Sequence, residues 1–101
     1  MRISETDINR ILDAANIVNV VGKYVSLRKS GSNYFGCCPF HDEKTASMCV
    51  SPSKRVFKCF GCGEHGNAIW FVHKIEGISY PEAAQMLAKE YNIDIKVEEK
   101  T

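Results

Sequence analysis

The sequence predicts an α+β domain, with helices at both ends and antiparallel hairpins between them. Three observations carry this. Ile8, Ile11, Leu12 and Ala15 recur at the spacing of one helix face. From about residue 24 to residue 59 the period shortens to two, with turn residues between apolar runs. Helical spacing then returns in Ala68, Val72 and Ile75. The 101 residues suit one domain, 1–101, with a helical part at 4–22, a ribbon at 23–65 and a second helical part at 66–92. With 45% hydrophobic and 25% charged residues, the composition is that of a folded chain, not a disordered one. No apolar run approaches the ~20 residues of a membrane helix, and Met1 to Glu5 hold no apolar signal region. A cytoplasmic protein with no membrane partner is expected.

The elements follow in order. Ser4 or Thr6 can cap the first helix, whose early acids suit the helix dipole. Asn16 caps a second, short helix through Ile17, Val20 and Val21, which Gly22 ends. Tyr24 to Leu27 favour strand, Lys29 to Asn33 carry turn chemistry, and Tyr34 to Cys38 read as the returning strand. Met48 to Val50 and Val56 to Cys59 form a second hairpin. Its alternation puts Val56 and Lys58 on one face, Phe57 and Cys59 on the other. Ala68 to Ile75 form a helix that Gly77 stops. Ser79-Tyr80-Pro81-Glu82 resembles a capping box for a last helix with Tyr80, Ala84, Leu87 and Tyr91 on its apolar stripe. Ile93 and Ile95 alternate as a short edge strand, and the tail from Glu98 is expected to fray.

The five cysteines are an odd number, which argues against a complete disulfide framework and for a metal. Cys38-Pro39-Phe40-His41 sets a thiolate and an imidazole three residues apart, and Cys59-Phe60-Gly61-Cys62 repeats the separation with two thiolates. A two-residue spacer lets a tight turn aim two ligands at one ion, and glycines relax the backbone toward sulfur. Three Cys and one His suit one structural Zn²⁺, closed to reactants. A redox Cys59/Cys62 pair leaves Cys38 and His41 unexplained. A zinc deaminase, whose H-x-E is echoed by His41-Asp42-Glu43, keeps its fourth position for water, which Cys38 would fill here. Cys37 competes with Cys38, but should point to the opposite strand face. Cys49 reads as a small buried hydrophobe, His65 as a polar loop residue and His73 as a boundary residue.

The net charge of +1 is unevenly spread. Between residues 23 and 58, Lys23, Arg28, Lys29, Lys44, Lys54, Arg55 and Lys58 face only Asp42 and Glu43, a net of +5. Residues 1–22 have a net of −1 and residues 63–101 a net of −3. The basic segment is interleaved with aromatics, a pattern that suits unpaired bases and phosphate. At least half of these aromatics are expected in the core, Phe57 and Phe60 foremost. Arg28, Lys29, Tyr34, Lys44, Lys54, Arg55 and Lys58 are the candidate nucleic-acid contacts. No recognition helix is evident, which favours single strands over major-groove readout. The other reading is a protein-interaction zinc ribbon that touches no nucleic acid.

Asn33 to Thr45, Phe57 to Gly63 and Gly66 to Ile69, with the segments Asn16–Val21 and Gly77–Ala83, resemble the N-terminal zinc-binding domain of bacterial DnaG-type DNA primases. The resemblance runs from Ile8 to about Ile95. It implies a zinc ribbon on a small antiparallel sheet with flanking N- and C-terminal helices, and Cys38, His41, Cys59 and Cys62 as ligands. It implies a role in engaging single-stranded DNA template and choosing where an RNA primer starts. It also implies two partners, the polymerase domain of a primase and the replicative helicase. Polymerisation in that family belongs to a separate carboxylate-bearing domain, so this sequence is not expected to make primers by itself. Ala46 and Met48 stand where the family commonly has Pro and Phe, a departure expected to alter the sheet surface offered to DNA.

Overall fold

The computed structural model describes residues 2–40, 47–95 and 97–98. After a two-residue strand β1 (Arg2–Ile3), α1 (Glu5–Ala14) begins at Ser4, whose hydroxyl accepts the Asp7 amide at 3.2 Å. Of the two candidate caps, Ser4 serves. Asn16 caps α2 (Ile17–Gly22) by accepting the Val18 amide at 2.9 Å. Gly22 is the last helical residue rather than a stop beyond the helix, and Lys23 caps it.

The expected strand at 24–27 is absent. The amides of Tyr24 and Val25 both donate to the Val21 carbonyl, so the chain leaves α2 through a turn that buries Val25. Extended pairing starts only where a partner strand stands opposite, at β2 (Arg28–Ser30) against β3 (Asn33–Gly36). Then follow β4 (Met48–Ser51), β5 (Val56–Cys59) and β6 (His65–Gly66). The five strands lie in chain order, each antiparallel to the next.

Register decides what each face carries, because residues directly opposite point the same way. One row runs Lys29, Tyr34, Val50, Phe57 and Gly66, and beside it Gly36, Met48 and Cys59. Val50, Phe57, Met48 and Cys59 on these rows are fully buried, so this is the core face. The alternate row runs Arg28, Phe35, Cys49, Lys58 and His65 across all five strands, on the outer face. Met48 therefore points inward, and the expectation that it changes the outer surface is overturned. Ala46 lies outside the described residues.

α3 (Ala68–Glu76) and α4 (Tyr80–Glu90) complete the core. Ala68, Ile69, Phe71 and Val72 of α3 and Ala83, Ala84, Leu87 and Ala88 of α4 are buried. The Phe71 ring meets Phe57 edge-on at 5.3 Å and 85°, and also Phe40 at 5.3 Å. Each such pair adds roughly 0.5–1.5 kcal/mol beyond burial. Gly77 ends α3 in the left-handed conformation, and the Ser79 hydroxyl accepts the Glu82 amide at 3.3 Å to open α4. The edge strand expected at Ile93 and Ile95 forms further on, as β7 (Val97–Glu98) paired with β1. Ile93 and Ile95 instead pack half-buried against the core. Glu98, expected to fray, lies in this pairing, and residues 99–101 lie outside the described residues.

Candidate metal centre

Two turns at one end of the sheet bring the cysteines together. Cys38 lies two residues past the end of β3, with Cys37 exposed and Cys38 buried, and Cys59 closes β5. The turn after β5 is closed from both sides: the Gly63 amide donates to the Cys59 carbonyl at 2.9 Å and the Cys59 amide to the Glu64 carbonyl at 2.7 Å. This carries Cys62 back over Cys59. The sulfurs of Cys38, Cys59 and Cys62 all lie within 4.8 Å of one another, with Cys38 and Cys62 at 3.7 Å.

A tetrahedral zinc with sulfur at about 2.3 Å separates its sulfurs by about 3.8 Å. The 3.7 Å pair has that spacing and is not a disulfide. Burial pushes the Cys38 thiol up to about 12, and contacts with Cys59 and Cys62 push the same way, against a backbone hydrogen bond from Phe40. Three sulfurs crowded like this ionise together only around a cation, so the donor set fits a structural zinc. His41, the expected fourth ligand, lies outside the described residues. Among the described residues the cluster is these three cysteines. Cys37 is exposed, and Cys49 is half-buried on the outer row, where it is not the fully buried hydrophobe expected. His65 is exposed in β6, its Nδ1 3.1 Å from the Gly63 carbonyl. His73 sits near the end of α3, bonded through Nδ1 to the Ile78 carbonyl.

Helix α3 braces the metal turn. The Trp70 indole donates to the Glu64 carboxylate at 3.0 Å, with Lys74 at 3.6 Å. The indole hydrogen bond, aided by Lys74, holds that carboxyl below its ordinary range. Asn67 accepts the Trp70 amide at 2.8 Å and donates to the Tyr80 hydroxyl at 3.1 Å, joining α3 to α4.

The candidate nucleic-acid residues are not all on one surface. Arg28 and Lys58 stand on the outer row. Lys54 and Arg55 occupy the β4–β5 turn, where Arg55 is ion-paired with Asp13 of α1. Lys29 and Tyr34 fall on the core-side row, Lys29 exposed and Tyr34 half-buried against the core. Lys44 lies outside the described residues. Phe60 corrects the sequence reading: expected in the core, it is 68% exposed. The Lys58 ammonium lies 5.5 Å from the centroid of its ring. Alternation places it outside, since Phe57 and Cys59 point in. Phe35 and His65, neither of them among the candidate contacts, share the outer row with Arg28 and Lys58. A groove of about 330 Å³ on this face is lined by Cys49, Ser51, Lys54, Val56, Lys58 and Phe60, among others.

The CHC2 zinc-finger family matches residues 3–101. The DNA primase of Geobacillus stearothermophilus is 52% identical over 98 residues, which cover 97% of this chain and 16% of that protein. The DNA primase of Chlamydia muridarum is 45% identical over 101 residues, all of this chain and 17% of that protein. The chain thus spans about a sixth of the length of these relatives. A crystal structure of the zinc-binding and RNA polymerase domains of the Aquifex aeolicus primase superposes with a TM-score of 0.83 at 51% identity, over 91% of this chain and 22% of that one. No helix among the described residues is long and apolar enough to cross a membrane.

Proposed function

The chain belongs to the CHC2 zinc-finger family of DNA primases, and from that premise we propose that it is a template-binding module, holding single-stranded DNA on the outer face of its sheet while a primase polymerase domain makes the RNA primer. The zinc is structural, and we assign it the ligands Cys38, His41, Cys59 and Cys62. When bound, it supplies a fixed cross-link between the turn after β3 and the turn after β5. The whole of 1–101 then acts as one domain, its two helical parts backing the ribbon. The replicative helicase is a further proposed partner, and DNA replication in the cytoplasm the proposed setting.

The observation that carries this reading is the outer row. Arg28, Phe35, Cys49, Lys58 and His65 cross five strands without an acid among them, and Phe60 adds an exposed ring beside Lys58. Cations track phosphate and rings stack on unpaired bases, so the face suits a single strand of any sequence. Its five short strands offer no helix to a major groove.

The test is fluorescence anisotropy of a labelled single strand with the zinc-loaded chain over a salt series. The expected binding weakens with salt, log K falling by about 0.7 per phosphate contact for each tenfold rise in salt. An absence of salt-sensitive binding to any single strand removes the proposal. It would leave the protein-interaction ribbon as the better account of this surface.

A further inference from the structure

Cys59 is fully buried, and the hydroxyl of Ser47 lies 3.6 Å from its sulfur. A metal-bound cysteine is a thiolate, which only accepts hydrogen bonds. In that state the hydroxyl alone has a proton to offer, and the contact is O–H to sulfur. Ser47 is held in place for this role, because its carbonyl accepts the Phe60 amide at 2.9 Å. That bond extends the β4–β5 ladder one rung beyond the Met48–Cys59 pair. Three thiolates exceed the charge of one Zn²⁺, so a donor aimed at one of them offsets part of the surplus. Cys38 has a comparable donor in the backbone at Phe40.

We infer that Ser47 is a positioning residue for the zinc: its hydroxyl donates to the Cys59 sulfur, orients that ligand and slows loss of the metal. The inference rests on Cys59 being a ligand. Outer-sphere donors of this kind change metal affinity by 10- to 100-fold in other sites.

The test compares the full chain with Ser47→Ala, Ser47→Thr and Cys59→Ser. Each is loaded with Co²⁺ for its absorption spectrum and with Zn²⁺ for transfer to a chromogenic chelator. A hydrogen bond lowers the energy of the sulfur lone pair. Ser47→Ala should therefore move the sulfur-to-cobalt charge-transfer band to lower energy and speed Zn²⁺ transfer on the order of ten-fold. Ser47→Thr keeps the hydroxyl and should match the parent in both. An unshifted band and an unchanged rate in Ser47→Ala overturn the inference, and so does Ser47→Thr behaving like Ser47→Ala. Should Ser47→Ala take up no Co²⁺, a parent-like spectrum in Ser47→Thr supports the role and failure of both variants overturns it. Cys59→Ser tests the premise separately. It should lose charge-transfer intensity, and full intensity would show instead that Cys59 is not a ligand.

Discussion

The ammonium of Lys58 sits 5.5 Å from the ring centroid of Phe60, on a side chain that is 68% exposed. At that distance the cation is drawn to the ring, which restrains it while leaving most of it open to stacking. Phe60→Ala should weaken binding of a short single strand roughly 5- to 150-fold, the value of one base–aromatic stack. It should change the stability of the zinc-loaded chain by no more than about 0.5 kcal/mol, as for other surface positions. Anisotropy and thermal melting of the same sample check both. A drop in melting temperature with unchanged affinity would mean that Phe60 supports the core instead.

Charge reversal separates the cations by their surroundings. Arg28 and Lys58 lie on the outer row and have no carboxylate partner among the described residues, whereas Arg55 is paired with Asp13. Arg28→Glu and Lys58→Glu should each lower affinity and flatten the salt slope by nearly one contact's worth. Arg55→Glu should act more weakly on DNA and cost at most about 1 kcal/mol of stability, since exposed pairs contribute little. Equal effects at all three positions would show that net charge alone governs binding.

Local chemistry made much of this legible in the sequence. Ser4, Asn16 and Ser79 cap their helices by reaching amides two or three residues away, an interaction that needs no knowledge of the rest of the fold. Cys38, Cys59 and Cys62 were readable from spacing because a two-residue spacer fixes a turn. What escaped depended on distant partners. Tyr24 to Leu27 have strand composition, yet pair with no strand, and Tyr24 and Val25 finish a helix exit. β1 and β7 have two residues each, too few to show any period. Tyr34 and Phe35 are adjacent aromatics, so only one can face the core. The pairing of Tyr34 with Val50 decides which. Phe60 has the hydrophobicity of a core residue, but the alternation that puts Phe57 and Cys59 inside puts it outside.

Metal removal should unfold the sheet. The core-facing ends of β3 and β5 meet at Cys38 and Cys59, and binding free energy at a structural site is folding free energy, on the order of 10 kcal/mol. Chelation or Cys59→Ser should collapse amide dispersion in the NMR spectrum of residues 28–66. Cys49→Ser should retain one zinc per chain and lose less than about 1 kcal/mol, because Cys49 is half-buried on the opposite face. Zinc released by the Cys49 change would require a different ligand set.

A glycine pair tests how α3 supports the metal turn. Gly66 stands opposite Phe57 on the core-side row, at φ 157°, and a Cβ there would lie 2.5 Å from Cδ1 of Trp70. The three nearest atoms all belong to Trp70, its Cβ among them at 2.7 Å, so the indole and the turn of α3 that carries it must move. Moving it pulls its N–H from Glu64, whose own carbonyl holds the Cys59 amide. Gly66→Ala should cost about 1–3 kcal/mol, as overpacking does, shift Trp70 fluorescence to the red and quicken Zn²⁺ transfer to a chelator. Gly22 is the control. It ends α2 with an ordinary φ, and a Cβ there meets nothing within 4 Å. Gly22→Ala should be neutral or stabilise by up to about 1 kcal/mol through the unfolded chain, with fluorescence and zinc transfer unchanged. If Gly66→Ala lowers stability and leaves zinc transfer untouched, the Trp70–Glu64 link braces the helix alone, and the metal turn holds itself.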